Sequence, residues 1–197
     1  MGQLHCLNVG CADASVIVTP TATFLVDCHN ISDHSHLLPA SKRLRCVFVT
    51  HQHADHYSGL GYLKDKAFTI ENLVYSPYDR RRGDASVTVE EWNEFAAYRD
   101  HFAQRGTKLI TPYRQTDWNK PWADVDGIQF WMIGPEPNIA KSETRQLHDA
   151  CLVIRAVLGK RACLFAGDAS DANLEYIANN TQNYCNDILH ASHHGSI

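Results

Sequence analysis

The feature that most constrains this chain is a run of eight residues, Val49-Thr50-His51-Gln52-His53-Ala54-Asp55-His56, which contains the pattern H-x-H-x-D-H. The chain has 12 histidines in 197 residues, so chance would produce this pattern in only about three such chains in a thousand. Residues 44–50 form an apolar run typical of a buried strand. Because side chains alternate along a strand, we expect His51 and His53 to project on the same side.

The residue types in this pattern favour metal chemistry. Neutral imidazoles suit zinc, and a turn after His53 would let Asp55 and His56 face a second metal close by. Paired metals about 3.5–4 Å apart are a common hydrolytic arrangement. Further groups that could bind metal also adjoin strand-like runs, namely His148, Asp168 and the pair His193-His194. We therefore predict that these segments meet at one metal-bearing edge of a sheet.

Hydrophobic periodicity and turn signals predict the remaining elements. We expect strands at residues 4–9, 15–19, 24–26, 44–50, 128–133, 150–158, 162–166 and 187–191. We expect helices at about residues 58–63, 89–105 and 172–179, and loops at residues 28–39 and 111–127. Thr88 and Glu91 have the spacing of a capping box at the start of the second helix. This order of elements predicts an α/β sandwich with mixed sheets.

Composition excludes some classes of function. The net charge of −4 provides no general basic surface for nucleic acid. No apolar run approaches the roughly 20 residues of a membrane span, and the N-terminus lacks a secretory signal, so we expect a cytoplasmic protein without a membrane segment. The basic groups at residues 42–45 and 80–82 are expected to be solvated. We expect buried free thiols at Cys6, Cys46, Cys151 and Cys163.

The order of the motifs resembles the metallo-β-lactamase superfamily. The motifs are the H-x-H-x-D-H pattern, His148, Phe165-Ala166-Gly167-Asp168 and Ser192-His193-His194-Gly195-Ser196. Together with an opening that contains Ala12-Asp13-Ala14-Ser15, the chain looks most like the branch with the hydrolase domain of the competence protein ComEC and several phosphodiesterases. The resemblance implies an αββα sandwich in which residues 1–197 form one domain, incomplete at its C-terminal end.

The resemblance also implies two sets of metal ligands. The first metal would bind His51, His53 and His148, the second would bind Asp55, His56 and His194, and Asp168 would bridge them. His193, the alternative terminal ligand, would instead contact the substrate or its leaving group. Asp13 and Asp27 would either orient ligand imidazoles or serve only the turns in which they lie.

These inferences predict a binuclear hydrolase in which two Zn²⁺ ions, with Mn²⁺ or iron as alternatives, activate a hydroxide nucleophile. Asp55 or Asp168 would orient this hydroxide. The branch resemblance favours phosphodiester substrates, with nucleic acid among them. Two alternatives remain open: a small-molecule ester, thioester or lactone hydrolase, and an effector domain of a larger protein that is regulated by additional domains or partner subunits.

Overall fold

A computed structural model describes residues 2–181 and 186–195, which include two β-sheets. The first sheet has the strand order β1-β2-β3-β4-β5-β6. Strands β1 to β3 pair antiparallel, and β3 to β6 pair parallel. The strands span Gln3–Cys6 (β1), Ala14–Val18 (β2), Thr23–Cys28 (β3), Arg43–Val49 (β4), Thr69–Tyr75 (β5) and Lys108–Ile110 (β6).

The second sheet has the strand order β11-β10-β9-β8-β7. Its pairs are antiparallel except for β10 and β11, which run parallel. The strands span Ala123–Val125 (β7), Ile128–Gly134 (β8), Val153–Leu158 (β9), Arg161–Phe165 (β10) and Ile188–His190 (β11). Mixed pairing in both sheets confirms the predicted sandwich.

Helices cover the outer faces of the two sheets. The α-helices are Ala54–Tyr57 (α1), Gly59–Asp65 (α2), Val89–Gln104 (α3), Pro137–Ala140 (α4) and Asp171–Asn180 (α5), and 3₁₀ helices span Ile31–Leu37, Leu147–Ala150 and Ser192–Gly195. No helix in residues 2–181 or 186–195 is long and apolar enough to cross a bilayer.

Alternation along the strands builds the layers. In β4, Phe48 packs between the two sheets, whereas Val47 and Val49 pack beneath α2 and α3 on the opposite face. On the far side of the sandwich, Ile177 of α5 packs against Val153. Apolar side chains thus fill three interfaces, and the expected αββα order of layers is confirmed.

Several predicted elements are confirmed. Helix α3 begins with the predicted capping box, because the Thr88 side chain accepts from the Glu91 backbone N–H and the Glu91 side chain accepts from the Thr88 backbone N–H. Helix α5 and strands β8 and β10 lie where periodicity placed them. In the segment 111–127, predicted as a loop, Trp122 packs against Phe48 at the core edge, and residues Ala123–Val125 form strand β7.

Other predictions were wrong. Residues 28–39 are not a plain loop, because Cys28 ends β3 and a 3₁₀ helix spans Ile31–Leu37. The strand expected at residues 150–158 begins at Val153, since the preceding residues form a 3₁₀ turn. Cys6 is exposed rather than buried, because β1 is an edge strand. The basic side chains of Arg80 and Arg81 bind backbone carbonyls instead of lying free in solvent.

The topology brings the motif-bearing segments to one edge of the sandwich. The parallel strands β3 and β4 end at Cys28 and Val49, so Asp27 near the end of β3 and His51 just after β4 lie on the same edge of the first sheet. Strand β10 ends just before Asp168, and the antiparallel neighbour β9 begins just after His148, so these two also share an edge. The Leu152 backbone N–H donates to the Thr50 carbonyl at 2.9 Å and joins the two sheets there.

Candidate metal centre

Three histidines form a first cluster at this edge. His51 Nε2 lies 3.1 Å from His53 Nδ1, and His148 Nε2 lies 3.4 Å from the same atom. His51 follows β4, His53 immediately precedes α1, and His148 lies in the 3₁₀ turn before β9. His51 is fully buried, whereas the other two are partly exposed.

The spacing of these nitrogens fits a tetrahedral cation. With zinc–nitrogen bonds of 2.0–2.1 Å, neighbouring ligand atoms of a tetrahedral site lie about 3.3 Å apart. The observed separations of 3.1 and 3.4 Å bracket this value. The His53 Nε2–H donates to the Ser86 carbonyl at 2.8 Å, and because a carbonyl can only accept, this bond leaves Nδ1 free to bind a cation.

A second cluster combines two histidines with carboxylates. His56 Nδ1 donates to Asp27 Oδ2 at 2.9 Å, and His194 Nδ1 lies 3.3 Å from Asp13 Oδ1. In both pairs a carboxylate holds one ring nitrogen, so the other nitrogen, Nε2, is directed away from it. Metal-binding histidines are commonly oriented in this way. Asp13 and Asp27 therefore orient imidazoles, which is the first of the two predicted roles.

Unpartnered buried atoms mark the centre of this cluster. His56 Nε2, His194 Nε2, Asp13 Oδ2 and Asp168 Oδ1 have no hydrogen-bond partner within the described part of the chain. His56 Nε2 and Asp168 Oδ1 lie 3.4 Å apart. Because buried polar atoms rarely go unsatisfied, this set of nitrogens and oxygens fits a cation between them.

Asp168 lies between the two clusters. Its Oδ2 is 3.7 Å from His51 Nε2 and 4.0 Å from His148 Nε2, while its Oδ1 faces His56. It also lies 3.9 Å from His194 Nε2. A single carboxylate thus contacts ligand nitrogens of both clusters.

The other predicted site residues lie at the rim. Asp55 Oδ2 is 3.3 Å from His194 Nε2, but the tightest group around His56 and His194 contains Asp13 rather than Asp55. His193 is exposed, and its Nε2 lies 3.6 Å from Asp168 Oδ2. The structure thus brings all the predicted site residues together, with His194 deeper than His193.

The electrostatics differ between the clusters. Burial, together with the neighbouring histidines, lowers the pKa of His51 well below its usual value and lowers the pKa of His148 to about 4. For His56, burial acts in the same direction, but Asp27 and Asp168 outweigh it and raise the pKa well above its usual value. His51 and His148 therefore offer neutral imidazoles, whereas the second cluster surrounds His56 with negative charge that a cation would satisfy.

Gly167 forms the floor beneath Asp168. Its φ is +49°, and a Cβ there would lie 2.8 Å from Cys151 Sγ and from Thr50 Cβ and Oγ1. Thr50 itself donates to Asp27 through both its backbone N–H and its hydroxyl, at 2.8 and 2.7 Å. Glycine before Asp168 therefore lets the two sheets close tightly around the site.

A cavity of about 650 Å³ opens beside the site. Its lining includes His148 and His193, which belong to or adjoin the clusters, and the carboxylates of Asp149 and Asp171. None of the described residues that line it is Lys or Arg. The volume suits a small molecule.

Three residues near the clusters were not anticipated from the sequence. Ser86 contacts His53 through a backbone carbonyl, which no side-chain pattern reveals. His190 Nε2 lies 3.1 Å from Asp13 Oδ1. Its place at the end of β11, just before the terminal histidines, is the one sequence signal that indicates a position near the site. Thr50 ends the predicted strand, but the role of its hydroxyl appears only once Asp27 lies beside it.

Comparison with known proteins identifies the family. The sequence profile of the metallo-beta-lactamase superfamily matches residues 9–140, well over half of the chain. The chain belongs to the metallo-β-lactamase superfamily. This superfamily consists mostly of hydrolytic metalloenzymes that bind divalent metals at a dinuclear site, and the two clusters supply candidate ligands. No curated protein shows significant sequence similarity to the chain.

Solved structures share this metallo-β-lactamase fold. CmlA, a diiron β-hydroxylase from Streptomyces venezuelae, has a TM-score of 0.56 and 14% identity, covering 93% of this chain and 33% of that one. The metallo-β-lactamase fold protein YhfI from Bacillus subtilis has a TM-score of 0.50 and 18% identity, covering 88% and 66%. This chain thus spans about a third of the length of CmlA. At these identities the likeness shows the fold alone.

Proposed function

We propose that the chain is a binuclear metal-dependent hydrolase that cleaves phosphodiester bonds in small molecules. The observation that carries this proposal is the convergence of two ligand clusters on the shared carboxylate Asp168. Two bound divalent cations would lower the pKa of a water molecule and stabilise the charge that develops on the substrate.

The proposed ligand sets combine the histidines of the two clusters with Asp55 at their rim. His51, His53 and His148 would hold the first cation, and Asp55, His56 and His194 would hold the second, with Asp168 shared. Support comes from the free Nε2 atoms of His56 and His194. Zinc is proposed for both positions because imidazole nitrogens predominate, and Mn²⁺ and iron are the alternatives.

The remaining groups act on water and substrate. The carboxylates of Asp55 and Asp168 would orient the attacking water. His193 is exposed between the site and the cavity, so its ring would contact the substrate or donate a proton to the leaving group. Tyr57 is buried and donates to the Glu91 carbonyl at 2.9 Å, which supports a packing role for it.

The cavity supports a small substrate. Phosphate neutralisation by Lys and Arg dominates affinity for nucleic acid. The described lining lacks both and includes Asp149 and Asp171, so a polyanion would be disfavoured there. Nucleic acid, predicted among the substrates, is therefore the less favoured phosphodiester.

The same cavity favours a second candidate, hydrolysis of a small ester, thioester or lactone, because such substrates bring no negative charge to the two carboxylates.

Three predictions stay predictions. They are a single domain over residues 1–197, regulation by additional domains or partner subunits, and a cytoplasmic location.

The experiment combines metal analysis with hydrolysis. Protein purified without chelator is expected to contain about two zinc ions per chain. It is expected to hydrolyse bis(p-nitrophenyl) phosphate faster than p-nitrophenyl butyrate or a DNA oligonucleotide. The matched control is Asp187→Asn, an exposed carboxylate bound to Arg161 away from the clusters, which should retain both properties.

Each result has a distinct meaning. Faster ester hydrolysis would favour the second candidate, and faster oligonucleotide cleavage would restore nucleic acid as the substrate. Iron in place of zinc, without hydrolysis of any probe, would contradict the hydrolase proposal and direct attention to oxidative chemistry, since CmlA is a diiron β-hydroxylase.

A further inference from the structure

The loop between β5 and α3, residues 76–88, contacts both chain segments that carry the first cluster. Its Ser86 carbonyl accepts from His53 Nε2 at 2.8 Å. Its Ser86 hydroxyl accepts from the Leu147 backbone N–H at 3.1 Å, and Leu147 directly precedes His148. One residue therefore holds two of the three histidines of the first cluster, one directly and one through its neighbour.

Ser86 is itself held firmly. Its backbone N–H and its hydroxyl both donate to Asp84 Oδ1, at 2.9 and 2.7 Å, and the Tyr78 hydroxyl lies 3.0 Å from Ser86 Oγ. Tyr78 also donates to Asp84 Oδ2. Because the Ser86 hydroxyl donates its proton to Asp84, the oxygen lone pairs stay available to accept from the Leu147 backbone N–H.

Arginines attach this loop to the segment that precedes His148. Arg81 donates to the carbonyls of Ser142 and Glu143 at 2.7 and 2.6 Å, and Arg145 donates to the Asp79 carbonyl at 3.2 Å. These contacts run in both directions between the two segments. They limit movement of the loop relative to the segment that leads to His148.

We propose that Ser86 is a positioning residue for the first cation, because it fixes the ring orientation of His53 and the backbone position of His148. This inference rests on the proposed metal site. His53 follows β4 of the first sheet and His148 precedes β9 of the second, so their rings meet at the correct spacing only if the two sheet edges stay in register. Ser86 adds to that register through one carbonyl and one hydroxyl, beside the hydrogen bond from Leu152 to Thr50.

The test is equilibrium binding of Zn²⁺ alone to the full chain, measured by competition with a chromophoric chelator. Ser86→Ala keeps the carbonyl but removes the hydroxyl that holds Leu147. It is expected to weaken one of two Zn²⁺ sites by about 10-fold, the lower end of the effect of losing a partner behind a ligand, because the hydroxyl acts on His148 only through Leu147. The other site is expected to stay unchanged. Ser86→Thr, which restores a hydroxyl, is expected to restore the affinity.

Two further variants separate positioning from general stability. Thr107→Ala removes a buried hydroxyl that donates to the Ile70 carbonyl at 2.7 Å, remote from both clusters, and should lower the melting temperature without changing either Zn²⁺ affinity. Asp84→Ala removes the carboxylate that holds the backbone N–H and the hydroxyl of Ser86. It should weaken the same Zn²⁺ site as Ser86→Ala, and it keeps the inference testable if Ser86→Ala folds poorly.

The outcomes distinguish this inference from the proposed function. Two wild-type Zn²⁺ sites that both persist with unchanged affinity in folded Ser86→Ala would overturn the positioning role and leave the metal site intact. Equal weakening in Thr107→Ala would also overturn it, because the effect would then follow stability. A wild-type chain that binds no Zn²⁺ would overturn both proposals.

Discussion

Both clusters contain histidines, but these histidines are positioned by different means. Neutral contacts hold the first cluster, as in the bond from His53 to a backbone carbonyl. Charged contacts hold the second, where Asp27 and Asp13 engage His56 and His194. A backbone carbonyl orients the imidazole ring without adding charge. A carboxylate also raises the basicity of the ring nitrogen that would bind the metal, and it attracts a cation electrostatically. We therefore expect the two sites to differ in affinity and in their response to mutation.

Removing the carboxylate that the clusters share should have the largest effect. Asp168→Ala is expected to lower kcat/KM for phosphodiester hydrolysis by about 1000-fold, at the upper end of the effect of losing one electrostatic stabiliser. Zinc content should fall at both positions, since Asp168 contacts both clusters. Elemental analysis and initial rates measure this. Loss of one zinc with the other fully retained would show that Asp168 belongs to a single cluster.

Overpacking the floor should disturb both clusters through geometry alone. Gly167→Ala places a Cβ 2.8 Å from Thr50 and Cys151 at a φ of +49°, and should cost about 3 kcal/mol of unfolding free energy. Gly159→Ala has a similar φ of +63° but nothing within 4 Å, so about 1 kcal/mol is expected for it. Urea denaturation compares the two variants. Equal losses would show that the close approach at Gly167 is unimportant.

Weakening a carboxylate partner should affect one cluster selectively. Asp27→Asn removes the charge behind His56 and should weaken the second Zn²⁺ site by about 10–100-fold, with the first site unchanged. Isothermal titration calorimetry with Zn²⁺ resolves the two sites. The control is Asp126→Asn, whose carboxylate contacts Thr19 and Thr21 far from the clusters. Equal weakening of both sites would remove the distinction between neutral and charged positioning.

The smallest effect should come from a cap that serves neither cluster directly. Thr88→Ala breaks the capping box of α3 and should cost about 1 kcal/mol of stability. Both Zn²⁺ affinities should stay unchanged, as judged by calorimetry alongside a thermal melt. A change in Zn²⁺ affinity would show that the start of α3 positions the site after all.

The sequence predicts the parts of this molecule whose signals are local. The apolar run before His51 and the capping box at Thr88 depend on neighbouring residues, and both are confirmed. Strand β5 went unassigned because Ile70, Leu73 and Val74 break simple alternation in a central strand. The three-residue strands β6 and β7 are too short to show a period.

The candidate site divides in the same way. The expected histidines and aspartates are recognisable by residue type and by their place beside predicted strands, so the sequence alone indicates them as candidate site residues. The sequence does not reveal Ser86 in this way. This residue contacts His53 through a backbone carbonyl, and its hydroxyl accepts from Leu147, which lies 61 residues further along the chain. The entry of Asp13 into the second cluster likewise depends on β2 lying beside β3.

The proposed centre holds two cations, one on either side of Asp168. Crystals grown with Zn²⁺ and measured across the zinc absorption edge test it directly. Two anomalous peaks are expected about 3.5–4 Å apart, one among His51, His53 and His148 and the other between His56 and His194. A single peak in the folded protein, or two peaks that leave Asp168 uncontacted, would contradict it.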